Sequence, residues 1–188
     1  LVDGVDVKDY TFDALYDRVG YMTQKAILFS GDVRGNVLFG ASRGGDSDED
    51  VRKALDLAQA SEFVDKLPGG IHAPIAEGGT NVSGGQKQRL SIARALARRP
   101  EILVFDDSFS ALDYRTDAKL RAGLDRELKD TTRLIVAQRI GTIRDADKII
   151  VLDEGKMVGM GTHDELMRTC PVYQEIARSQ LSQEELGA

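Results

Sequence analysis

Residues 82–96 read VSGGQKQRLSIARAL, and this stretch decides the fold. Ser83 stands immediately before a helical pattern and Gln86 follows it by three residues. That is the spacing of a capping box, in which the serine hydroxyl accepts from the backbone N–H of Gln86 while the Gln86 side chain reaches back to the serine N–H. Gly84 and Gly85 remove side chains from the first turn. The free N–H groups at the positive end of the helix dipole are then open, a setting that suits an anion. Taken alone, the same pattern describes any capped helix with a glycine-rich entry. The helical spacing runs on through Leu90, Ala93 and Ala97 on one stripe, with Lys87, Arg89, Arg94, Arg98 and Arg99 elsewhere in 85–99.

Short apolar runs lie on either side of this helix. Residues 18–22, 102–105, 133–137 and 148–152 read as strands, apolar enough on both faces to suggest a parallel sheet covered by helices. Helical patterns alternate with them. Residues 48–60 carry Val51, Ala54, Leu55 and Ala58 at helical spacing, and residues 116–129 carry Leu120, Leu124 and Leu128 four apart. The alternation predicts an α/β fold. Residues 40–50 (GASRGGDSDED) form a polar, glycine-rich connector. Gly155 marks a hairpin turn, and residues 171–188 read as a mostly polar helix and tail.

The chain's 188 residues suffice for one domain. With 41% hydrophobic and 30% charged residues it reads as globular rather than disordered. It has no apolar run of about eighteen residues, the minimum for a membrane span. The net charge of −6 makes a nucleic-acid backbone a poor partner, but small anions remain open because local N–H groups hold them. Cys170 is the one cysteine and reads as a small, partly buried apolar residue. No Cys/His cluster has metal-ligand spacing, and a reducing, cytoplasmic setting is the simplest expectation. The first residues, Leu1 to Asp6, lack the marks of a signal peptide and lack an initiator Met, so a fragment is expected.

Several segments, in order, resemble the nucleotide-binding domain of the ATP-binding cassette (ABC) transporters. Ser83-Gly84-Gly85-Gln86 with the following Ala93-Arg94-Ala95-Leu96 resembles the family's signature motif. Residues 101–107 (EILVFDD) resemble its Walker B strand, and Ser110-Ala111-Leu112-Asp113 its D-loop. Tyr21-Met22-Thr23-Gln24 is similar to the Q-loop, and Ala76-Glu77-Gly78-Gly79 to the exporter-type X-loop that touches transmembrane domains. The segments 24–30 and 36–40 also resemble exporters. The implied fold is an α/β, parallel-sheet P-loop NTPase-like core with a helical signature subdomain at approximately 41–98, incomplete at its N-terminus.

The resemblance also implies cofactors and roles. ATP and Mg²⁺ would bind, with Asp106 holding the metal's water shell and Gln24 joining it through its side-chain carbonyl. One carboxylate suits Mg²⁺, which keeps waters and takes phosphate oxygens. Ser83, Gly84, Gly85 and Gln86 would contact the γ-phosphate of an ATP held by a second nucleotide-binding domain, and Asp113 would cross that interface.

Two positions depart from the family pattern. Most active members carry Glu where Asp107 stands, as the base for the attacking water. The shorter Asp is expected to be a weakened base, because a displacement of about 1 Å can cost roughly a hundredfold in rate. Within 135–143, Gln138 takes the place of the switch histidine, and an amide can donate a hydrogen bond but cannot become a cation. His72 and His163 are expected to be surface polar residues that do not replace it. Both departures fall on one chemical task, so a degenerate site is expected, paired with a working one in a heterodimeric exporter.

No G-x-x-x-x-G-K-S/T phosphate loop occurs in these residues. Residues 1–188 are therefore expected to be a partial nucleotide-binding domain, without Walker A or transmembrane domains. Alone they should bind ATP weakly or not at all and expose apolar surface. The expected partners are a second nucleotide-binding domain and transmembrane domains, at the cytoplasmic face of a membrane. The alternatives are a non-hydrolysing scaffold or orphan fragment, and a soluble cassette ATPase outside transport.

Overall fold

A computed structural model describes residues 1–41 and 45–186, with only the backbone described for 181–186. Residues 42–44 of the expected connector and 187–188 of the expected tail lie outside the described residues. The chain falls into two compact units, Leu1–Val136 and Ala137–Ala188.

The first unit opens with a turn closed by a Val2–Val5 bridge, then helix α1 (Phe12–Arg18) and strand β1 (Val19–Met22). A short strand β2 (Gly31–Asp32) leads into helices α2 (Val33–Leu38), α3 (Asp48–Leu57) and α4 (Ser61–Val64). Strand β3 (Pro74–Ile75) pairs antiparallel with β2. Helix α5 (Gly84–Ala97) then precedes β4 (Ile102–Asp106), α6 (Tyr114–Glu127) and β5 (Thr132–Val136).

Strands β1, β4 and β5 form a parallel sheet in that order, with β4 in the centre. The register sets Met22 opposite Phe105 and Asp106 opposite Val136. Parallel strands need long crossovers, and the helices between β1 and β4 and between β4 and β5 supply them. The core forms where β4 meets these helices: Leu103, Phe105, Leu90, Ile92, Leu120 and Leu124 are all buried. The leucine stripe of α6 and the apolar face of α3 therefore lie where their spacing put them.

Gly20 shows how tightly β1 is held. A Cβ there would lie 2.9 Å from both Leu103 Cδ2 and Pro100 Cγ, and 3.2 Å from the backbone oxygen of Ala95. A glycine in a strand interior commonly marks such a close approach.

Two strand expectations need correction. Residues 133–137 were expected to lie under helices, but β5 leaves Leu134 56% and Val136 50% exposed. Among the described residues β5 is an edge strand, with β4 on one side of it. Residues 148–152 were expected in the parallel sheet, but they lie in the second unit as β6 (Ile149–Asp153), paired antiparallel with β7 (Lys156–Gly161). Glu154 and Gly155 both have positive φ, 44° and 75°, which closes a two-residue hairpin turn and prevents a crossover. Ile149 and Val151 face the small core of this unit, while Ile150 and Leu152 are exposed.

The second unit also holds α7 (Ile140–Ile143), α8 (His163–Thr169) and α9 (Pro171–Leu186). Cys170 is buried there, more completely than the partial burial expected. His163 is not simply a surface residue. It is half-buried, and its Nδ1 lies 2.8 Å from the hydroxyl of the buried Tyr173. The ring packs because α8 and α9 meet at this corner.

Two stability predictions follow from this packing. Gly20→Ala should destabilise by about 1–3 kcal/mol, the usual cost of overpacking, and lower the midpoint of urea unfolding. An unchanged midpoint would show that Pro100 and Leu103 yield freely. The second concerns Asp113, which caps α6 by accepting from the backbone N–H of Thr116 at 2.9 Å and its hydroxyl at 2.7 Å. The Thr116 hydroxyl and N–H hold this carboxyl below its usual pKa range. Its extra stability is complete above the ordinary carboxylate range and is lost as pH falls through the lowered folded value. Asn caps about as well as Asp. Asp113→Asn should therefore unfold at a lower temperature than the parent at neutral pH, and the two melting curves should converge in acid.

Candidate nucleotide site

The C-terminal edge of the parallel sheet gathers three of the residues singled out in the sequence. Asp106 ends β4, Asp107 follows it, and Gln24 leaves the end of β1 two residues after Met22. The Gln24 side-chain Nε2 donates to Asp107 Oδ2 at 3.1 Å. Asp107 is buried and its backbone has φ 47°. Asp is among the few residue types that adopt this left-handed conformation with any ease. Its N–H donates to the carbonyl of Val136 at 3.0 Å, and its carbonyl accepts from the Ser110 hydroxyl at 2.8 Å. Backbone on both sides therefore fixes where the carboxylate starts.

Two further residues were missed in the sequence. The Tyr21 hydroxyl donates to Asp106 Oδ2 at 2.8 Å. That hydrogen bond, with smaller contributions from desolvation and the Asp106 charge, raises the phenol's pKa. Ser108 is fully buried, and its hydroxyl donates to the Met22 carbonyl at 3.1 Å, tying the ends of β1 and β4 together. The parallel register is the signal that could have found both, since it places Tyr21 and Asp106 on one face.

The signature residues form a second group. Ser83 Oγ accepts from the Gln86 N–H at 3.3 Å, and Gln86 Oε1 accepts from the Ser83 N–H at 2.9 Å. This is the capping box expected from the sequence. A Cβ on Gly84 would meet nothing within 4 Å, and one on Gly85 would lie 3.5 Å from the Ala111 carbonyl. The signature helix thus adjoins the segment 110–113. Arg89 links them electrostatically: burial lowers its pKa, opposed by the charges of Asp113 and Glu62.

Glu77 is exposed in a 3₁₀ turn where Gly78 and Gly79 take φ of 63° and 66°. The Asn81 side chain braces this turn, accepting from the Ala76 N–H at 2.9 Å and donating to the Pro74 carbonyl at 2.8 Å. Gln138 lies in the second unit and is exposed; its backbone carbonyl accepts from the Gln180 amide. His72 is exposed, as expected, beside Asp32 and Asp48.

The loop from 24 to 30 is anchored by Asn36 and Arg94. Asn36 is buried, donates to the carbonyls of Phe29 and Asp32, and accepts from the Phe29 N–H. Arg94 donates to the Ile27 carbonyl and to the carbonyl and side chain of Asn36, each at 2.8 Å, and lies over the Phe29 ring. A groove of about 340 Å³ opens here, lined by Tyr16, Tyr21, Ile27, Phe29, Phe39 and Arg94 among others.

The fold agrees with the comparisons to known proteins. The family described as "ABC transporter" matches residues 1–110. An uncharacterized ABC transporter ATP-binding protein of Mycobacterium tuberculosis is 47% identical over 183 residues, covering 96% of this chain and 31% of that protein. The ATP-dependent lipid A-core flippase of Albidiferax ferrireducens is 41% identical over 180 residues, covering 96% and 31% respectively. A solved bacterial Atm1-family ABC exporter with ATP bound superposes with a TM-score of 0.90 at 34% identity, over 96% of this chain and 31% of that one. This chain therefore spans about a third of the length of the proteins it matches, and it belongs to the ABC transporter family.

Proposed function

We propose that the chain is the ATP-binding and ATP-hydrolysing part of an exporter, with a slow hydrolytic site of its own and a signature surface that serves a partner's site. The observation that carries this proposal is the pair of carboxylates at the sheet edge, Asp106 and Asp107, with Gln24 hydrogen-bonded to the second. Residues 1–188 then act as a partial nucleotide-binding domain, running from the Q-loop to the C-terminal helix. Its helical subdomain covers approximately 41–98, of which 42–44 lie outside the described residues.

A magnesium nucleotide fits the residues present. Asp106 offers one half-buried carboxylate at an open sheet edge, and Gln24 retains its carbonyl oxygen as a ligand while its amide holds Asp107. When bound, Mg²⁺ would neutralise charge on the phosphate oxygens. Ser83 uses a hydroxyl lone pair for its own helix, so its proton stays available to donate outward. Neither Gly84 nor Gly85 is required by packing within this chain. Their absence of side chains supports close approach by a phosphate from outside the chain, held by a second nucleotide-binding domain.

Asp107 is the weak element. Its carboxylate starts one methylene short of a glutamate's reach, from a backbone fixed on both sides, and it is already engaged by Gln24. A general base must come within about 2.6–3.2 Å of the water it activates. Gln138 stands where the resemblance implies the switch histidine, and an amide can donate a hydrogen bond but cannot carry a charge. The intact capping box of the signature supports the opposite conclusion for the partner's site, so the two sites of a heterodimer would differ.

The groove lined by Thr23, Ile27 and Phe29 and the exposed Glu77 support a reading in which the chain contacts transmembrane domains at the cytoplasmic face of a membrane transporter. The exporter named among the solved structures and the flippase among the relatives support the outward direction. The cargo would contact those transmembrane domains.

The paired substitution Asp107→Glu with Gln138→His, made in the complete gene product with its partner subunit, should raise ATP turnover by about tenfold or more. Unchanged turnover would remove the degenerate-site assignment. In the same assembly Ser83→Arg should lower turnover by about tenfold or more, because it blocks the partner's phosphate. It should leave nucleotide binding at this chain's own site intact. A Ser83→Arg variant with parental turnover would contradict the partner-serving role.

A further inference from the structure

Tyr21 is placed unlike the other aromatic residues around it. The residue is 55% exposed and forms part of the groove wall, while its hydroxyl reaches the Asp106 carboxylate. Tyr21 pairs with Val104 across the parallel register, so Asp106, two residues further on, projects from the same face of the sheet. The bond is thus built by the register and not by a mobile loop. The ring contributes little to the core, so the hydroxyl is not the polar end of a buried packing residue. Its partner is Oδ2 alone. Among the described residues no hydrogen bond to Oδ1 of Asp106 is formed.

We propose that Tyr21 is a positioning residue for the metal corner. Its O–H pins one oxygen of Asp106, fixes the plane of the carboxylate and leaves the other oxygen directed at the hydrated cation. This inference rests on the role proposed above for Asp106. An unpinned carboxylate samples several rotations about its terminal bond and must give them up when the metal binds. A carboxylate already fixed has less to lose. Because one rigid ring is both groove wall and Asp106 partner, a shift of the groove wall also moves the carboxylate. By reciprocity, an occupant that moves the ring changes metal affinity, and the metal changes the affinity of that occupant.

Tyr21→Phe removes the hydroxyl and keeps the ring, so the groove wall and the strand remain. The test uses the complete gene product with its partner subunit and a non-hydrolysable ATP analogue. Binding of Mn²⁺ is followed by its electron paramagnetic resonance signal, and nucleotide affinity is measured separately in excess EDTA. Tyr21→Phe should weaken Mn²⁺ binding by about three- to tenfold, the worth of one hydrogen bond, with metal-free nucleotide affinity and melting temperature unchanged. Mn²⁺ affinity equal to or tighter than the parent's would overturn the inference. Asp106→Asn is measured alongside. If it abolishes Mn²⁺ binding while Tyr21→Phe does nothing, the role of Tyr21 alone fails. If Asp106→Asn leaves Mn²⁺ binding intact, the assignment of Asp106 fails and the role of Tyr21 falls with it.

Discussion

Parallel pairing of β4 with a neighbour on each side is the constraint on which the rest depends. It brings the ends of β1, β4 and β5 to one edge, so that Gln24, Asp106 and Val136 meet there from distant parts of the sequence. The register is held by apolar burial of Leu103 and Phe105 and by the close fit around Gly20. A slip of one residue would turn both to the opposite face. It would also separate Tyr21 from Asp106. The site's geometry is therefore a consequence of core packing, and the loops that carry Gln24 and Asp107 need only short tethers. The buried bond from Ser108 to Met22 and the bonds of Asp107 to Val136 and Ser110 provide them.

The second organising contact is the Asn36–Arg94 hub. A buried amide with several partners and a guanidinium that ties two carbonyls are costly to desolvate, and they hold because Asn36 uses both its N–H and its oxygen while each nitrogen of Arg94 donates. Burial lowers the pKa of Arg94, yet the group remains charged at any physiological pH. The hub joins α2, α5 and the loop after β1. The segment 27–29 that follows Gln24 is therefore tied by hydrogen bonds to both helices.

Much of this was legible in the sequence, and the gaps have physical causes. The Ser83–Gln86 capping box needs only local spacing, and it formed as read. The caps at Ser47, Thr162 and Asp113 follow the same local rule. Strands 102–105 and 18–22 were read within one residue at most positions, because parallel strands are continuous apolar runs. The run at 148–152 looked the same and belonged to a hairpin, since apolar content alone does not say which partner a strand takes. Tyr21 and Ser108 could not be assigned without the register, as each acts on a residue more than eighty positions away. His163 looked like a surface residue until Tyr173 supplied a buried partner.

The proposed asymmetry follows from one methylene at position 107 and one ring at position 138, set against a signature helix with its cap intact. The same chain would then be a poor host for its own water-activating step and a good donor to its partner's. The most direct test is to load the complete gene product and its partner with a photoreactive ATP analogue, trap the post-hydrolysis state with vanadate, and ask which chain carries the cross-linked nucleotide. The account predicts trapped diphosphate overwhelmingly on the partner chain. Equal labelling of the two chains, or labelling mainly of this one, would contradict it.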